Sequence, residues 1–178
     1  MNALHRAVAL LTLAALAATG CMLTSGQFVA TYELPDPLEV SSAVTLTGVD
    51  VDLNTVSEYN DHKSELKRVE DLALVGEFTN NSSTAAQIEV WIVPSAAPTL
   101  TPQQLQANGT RLWGPLAVAG NSTEKVDWDR SSALFVGRQA LIDEVKGDGH
   151  FSIYVVANGA FNVTVTKGSL IVVVGAAI

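Results

Sequence analysis

LALVGEFTNNSSTAAQIEVWIV, Leu72 to Val93, holds two apolar runs either side of a polar knot. In the second run Ile88, Val90 and Ile92 alternate with Gln87, Glu89 and Trp91, the period of two that puts one set of side chains on each face of a strand. Leu72 to Thr79 has the length and flanks of a second strand. Asn80-Asn81-Ser82-Ser83-Thr84 between them is a cluster of turn formers. Two strands so joined predict a hairpin or a corner that carries the chain from one sheet to another. Trp91 falls on the phase opposite the aliphatic residues, so it either stands outside as an interface anchor or lies beneath a helix or loop that covers that face.

The same grammar continues outward. Towards the C-terminus, Phe151 to Ala157, Phe161 to Thr166 and Leu170 to Val174 read as three strands. Asn158-Gly159 and Lys167-Gly168 sit between them as turns, the first a strong hairpin signal. The closing SLIVVVGAAI is too short to span a bilayer and reads as a core strand. Leu112 to Val118 and Thr123 to Trp128 are further strands around Ala119-Gly120-Asn121. Towards the N-terminus, Phe28 to Leu34 is a strand, and Leu34-Pro-Asp-Pro-Leu38 is an extended corner. Val44 and Leu46 alternate out of phase with Val49, Val51 and Leu53, and the slip at Gly48 predicts a β-bulge.

Three segments carry helical signals. Leu134, Phe135, Arg138, Leu141, Ile142 and Val145 recur at helical spacing, predicting one amphipathic helix over 132–146, capped by Asp129 or Ser131 and ended by Lys146-Gly147. A short helix capped by Asp61 would place His62, Leu66 and Val69 on one face. Thr101-Pro102-Gln103-Gln104 reads as an N-cap with proline at the first helical position, leaving a turn or two before Asn108-Gly109. The expected fold is mainly β: an antiparallel β-sandwich of about seven or eight strands with one amphipathic helix and one or two short ones.

Ahead of this domain the composition changes. His5 and Arg6 precede the apolar run Ala7–Ala18, the order of a secretory signal and too short for a transmembrane helix. Ala18-Thr19-Gly20-Cys21 resembles the lipobox of bacterial lipoproteins. That resemblance implies removal of residues 1–20, acylation of Cys21 and attachment to a membrane through lipid. Met22, where inner-membrane lipoproteins tend to carry aspartate, implies the outer membrane and its periplasmic face. Cys21 is the only cysteine of the 178 residues, which excludes an internal disulfide and suits a thiol reserved for lipid. The chain then divides into the signal 1–20, a lipidated tether 21–27 and one domain 28–178.

From Cys21 onward, nine Lys and Arg stand against 18 Asp and Glu, a net charge of −9. An acidic domain without a basic stripe argues against nucleic acid as a partner. Chemistry is sparsely provided. His62 and His150 lack any HExxH or cysteine pair, so His62 reads as a structural histidine and His150 as part of a turn. Asp50 with Asp52, and Asp127 with Asp129, place carboxylates two apart and are the candidates for a calcium ion. They lack the spaced ligands and glycine of an EF-hand loop and read first as a solvated face. There is no GxSxG elbow, no SxxK and no phosphate-cradling glycine loop, so neither a catalytic group nor a cofactor is expected.

LALVGEFTNNSS (72–83), QIEVWIV (87–93), GPLAVAGNSTEKVDW (114–128), the helix 132–146 and FSIYVVANG (151–159) follow one another in the order of the WHy family of β-sandwiches. The mature chain resembles that family, which is related to plant late-embryogenesis-abundant proteins. The resemblance implies a non-catalytic domain associated with stress protection. The expectation is therefore a lipid-anchored envelope protein with a binding or structural sandwich that contacts another envelope component. The alternative is an envelope hydrolase whose active site is assembled from scattered residues.

Overall fold

The computed structural model describes residues 26–42, 46–94 and 99–176. Cys21, the expected signal and most of the expected tether lie outside the described residues, as do Val44 and part of the 94–102 loop.

Eleven strands are present among the described residues. The first sheet holds β1 (Gly26–Glu33), β2 (Leu38–Ser41), β5 (Leu66–Asn80), β9 (Ser122–Val126) and β11 (Asn162–Ala176). Its order is β1-β11-β5-β9, and β2 takes over from β1 along the same edge of β11. The second sheet runs β4 (Val49–Asp52), β10 (His150–Ala157), β6 (Ala86–Pro94), β8 (Thr110–Val118). A two-stranded ribbon, β3 (Leu46–Thr47) with β7 (Thr99–Leu100), stands apart. Every pairing is antiparallel. The alternation read from sequence decides which faces meet. Leu72, Leu74, Phe78, Val172 and Val174 of the first sheet enclose one core with Ile88, Val90, Ile92, Phe151 and Ile153 of the second. Each such aliphatic or aromatic side chain contributes about 1.5–3 kcal/mol by leaving water. Trp113, fully buried, stacks on Phe78 at 5.4 Å and joins the layers.

Residues 72–93 form a corner. β5 and β6 belong to different sheets, and Asn80 holds the crossing. Its fully buried side chain donates to the carbonyls of Thr84 (2.8 Å), Val118 and Ala119 (3.3 Å each) and accepts from the Ser82 N–H at 3.0 Å. One amide thus ties this corner to the β8–β9 corner, where Asn121 adopts a positive φ of 52°. Asn158-Gly159 is a third sheet-to-sheet corner, correcting the expected hairpin: β10 and β11 lie in different sheets, and Asn158 Oδ1 accepts from the Gln87 N–H.

Other expectations are corrected by what each segment packs against. Lys167-Gly168 is a bulge inside the single 15-residue β11, placed opposite the 34–37 corner, where Leu34 N–H donates to Gly168 O at 2.9 Å. Gly48 is a break between strands that go to different sheets rather than a bulge within one. A Cβ there would lie 2.6 Å from the Tyr154 ring. Leu66 and Val69 belong to β5, because they pair with the end of β11. The helix lies earlier, as α1 (Ser57–His62), with Tyr59 buried and its hydroxyl donating to Val145 O.

The expected 132–146 helix is two helices, α3 (Trp128–Leu134) and α4 (Arg138–Lys146), while α2 spans Pro102–Asn108. Phe135 forms a bridge with Trp113, and the N–H groups of Val136 and Gly137 both donate to Leu112 O, so the intervening residues serve β8. At Gly137 a Cβ would stand 2.3 Å from Arg111 O. Neither Asp129 nor Ser131 caps: Asp127 does, through Arg130 N–H, and strand β9 ends before Trp128 opens α3. Ser131 is buried instead, its Oγ accepting from Leu74 N–H at 2.7 Å along the stretch of β5 that β9 leaves unpaired.

Candidate functional site

The outer face of the second sheet carries its own small cluster. Tyr154 pairs across from Trp91, and Val156 from Glu89, so β10 and β6 present Tyr154, Val156, Trp91 and Val93 away from the main core. Leu105 of α2 and Leu46 of the ribbon close over them. The position of α2 is set by the predicted cap in reciprocal form. Thr101 Oγ1 accepts from Gln104 N–H at 3.2 Å, Gln104 Oε1 accepts from Thr101 N–H at 2.9 Å, and Pro102 starts the helix. The Tyr154 hydroxyl is buried without a hydrogen-bond partner among the described residues, and burial raises its pKa.

Beside this cluster the face opens into a cleft of about 390 Å³. Its apolar wall is Leu46, Trp91, Leu105, Val156 and Phe161, and Gln87, Glu89, Gln106 and Asn158 supply polar atoms. Trp91 is therefore half-buried, covered on one side by the α2 layer and open on the other. Its ring is fixed by Glu89: Oε2 accepts the indole N–H at 3.0 Å while Oε1 accepts from Arg111 Nη1 at 2.9 Å. With both carboxylate oxygens engaged, the polar side chains left facing the cleft are mostly neutral amides. An oriented aromatic wall, an apolar floor and neutral amide groups suit the binding of an uncharged or apolar group.

The other candidates lie elsewhere. Asp50 and Asp52 are on β4 at the edge of the same sheet. Asp50 Oδ1 is 2.9 Å from His150 Nε2, and Asp52 Oδ1 accepts from both Asn54 N–H (3.0 Å) and Asn54 Nδ2 (2.7 Å). The Asn54 hydrogen bond holds the Asp52 carboxyl below its ordinary value, and the Asp50 hydrogen bond raises His150 above 6.5. Asp127 is occupied as the α3 cap and Asp129 is exposed in its first turn, so the two aspartate pairs are far apart in role and place. No three His, Cys, Asp or Glu side chains are gathered as a metal site among the described residues. His62 is exposed, with Glu65 at 3.6 Å and the Phe28 ring at 5.1 Å, rather than sharing a helix face with Leu66 and Val69. Ser152, across from Asp50, is fully buried, where a substrate carbonyl could not reach it.

The sequence pointed to Trp91 by its phase alone. It gave no sign of Leu46, Leu105 or Phe161, because their meeting depends on which sheet each corner feeds. No family model matches the chain, and no curated protein matches it.

Proposed function

We propose that the chain is a lipid-anchored protein of the bacterial cell envelope, held at the periplasmic face of the outer membrane through Cys21. Its sandwich is a non-catalytic binding module, and the Trp91 cleft is its working surface. The observation that carries the binding role is the locked indole. Glu89 and Arg111 hold Trp91 as one wall of a preformed apolar cleft, which lowers the ordering cost of taking up a partner. The hydrolase alternative gains a His150–Asp50 pair, but that pair sits at an open strand edge outside the cleft, and the serine beside it is buried. The lipobox supplies the location, and tethering raises the local concentration of the module at the membrane, so weak contacts suffice.

The test is intact mass and membrane fractionation in a bacterial host, wild type beside Cys21→Ala. The expected wild type has lost residues 1–20, gained acyl mass and sediments with membrane, while the variant stays unacylated and leaves the membrane fraction. Wild-type protein recovered soluble and without acyl mass would overturn the anchored reading.

A further inference from the structure

The tether begins next to one of the two outer faces of the sandwich. β1 starts at Gly26, five residues after Cys21, and an extended chain covers at most about 3.6 Å per residue, so Gly26 stays within about 18 Å of an acylated Cys21. On the outer face of the first sheet near Gly26, Val29 pairs with Val173, Thr31 with Ile171, and Ile171 with Ala73, followed by Val75. None of these is charged; Glu33, exposed on the same face two residues beyond Thr31 and accepting from Ser169 Oγ, marks the end of the patch. Val29 is 50% exposed and Thr31 is exposed, while Ile171 and Val173 are half-buried and Ala73 is covered.

Trp128 borders the patch, half-buried, its indole N–H donating to Asp71 at 3.0 Å. Asp71, on the same face opposite Val173, is itself paired with Arg138 at 3.1 Å. A tryptophan with an apolar body and a satisfied polar tip is the side chain that settles at a membrane–water interface.

We propose that this face, centred on Val29, Thr31, Ile171 and Val173, rests on the phospholipid surface that holds the lipid anchor. The proposal rests on the anchored reading above. Its consequence is an orientation: the outer face of the second sheet, with the Trp91 cleft, points away from the bilayer. The tether makes a weak apolar contact sufficient.

The experiment uses the full acylated protein in vesicles of phosphatidylethanolamine and phosphatidylglycerol. Acylation consumes the thiol of Cys21, so Thr31→Cys or Gln87→Cys supplies a single free thiol for a fluorophore. A nitroxide-bearing headgroup lipid is expected to quench the dye at 31 several-fold more strongly than the dye at 87. Adding Val29→Asp and Val173→Asp is expected to bring position 31 down to the level of 87. Acyl mass present with equal quenching at both positions, or stronger quenching at 87, would overturn the orientation and leave the anchor standing. Absence of acyl mass would overturn the anchor and the orientation with it.

Discussion

Both sheets of the sandwich share one inner layer, yet they treat their outer faces in opposite ways. The first leaves Val29 and Thr31 exposed beside a half-buried Ile171 and Val173. The second builds a further apolar layer from Tyr154, Val93, Leu105 and Leu46, with a cleft at its margin. Alternation dictates that each strand has two faces, and it is the connections that decide which outer face receives a roof. The residues linking β6 to β8 include β7 and α2, and these fold back over β6, whereas β1 and β2 are joined by only the four residues 34–37.

That contrast is sharpened by substitutions on each layer. The largest effect is expected in the shared layer: Trp113→Ala removes the stack on Phe78 and the indole donor to Ser131, costing about 3–5 kcal/mol in urea unfolding. The same aspartate placed on the two outer faces should then separate them. Val93→Asp, beneath the roof at 6% exposure, is expected to cost about 3 kcal/mol or more, and Val29→Asp on the exposed face about 1 kcal/mol or less. Equal costs at the two sites would mean that the first sheet is covered as well.

The smallest expected effect lies at the edge of the second sheet. Asp50 raises the His150 pKa above 6.5 in the folded protein, chiefly by hydrogen bond, so the pair adds stability that is complete below about pH 6.5 and vanishes as pH rises through the raised value. The melting temperature of His150→Asn should therefore fall below wild type by a small margin near about pH 5.5 and match it near about pH 8.5. A gap that widened with pH would show the imidazole acting as a neutral hydrogen-bond partner.

Where local chemistry closes on itself, the sequence could be read directly. Thr101, Pro102 and Gln104 specify a capping box within four residues, and Ile88, Val90 and Ile92 declare their inner face without help. Reading failed where a distant partner chose between two locally sensible outcomes. Asn158-Gly159 satisfies a tight hairpin as well as a corner, and only Gln87 on a neighbouring strand selects the corner. Gly137 sits inside a helical pattern that β8 interrupts, because Leu112 accepts the N–H groups the helix would have used. Leu66 and Val69 fit a helix face until β11 offers a pairing edge. The cleft follows the same logic: Trp91 had a legible phase, while Leu46 and Leu105 reach it from separate segments that no periodicity connects.

The most direct test of a two-faced, cleft-bearing module is site-specific photo-crosslinking in living cells, with the reactive residue at Gln106 on the cleft or at Thr31 on the exposed face. The account predicts that position 106 yields a discrete adduct that Trp91→Ala abolishes without lowering the amount of folded protein, and that position 31 labels lipid. An adduct at 106 that persists in Trp91→Ala, or no adduct at 106 beside abundant protein crosslinks at 31, would contradict it and move the binding surface to the first sheet.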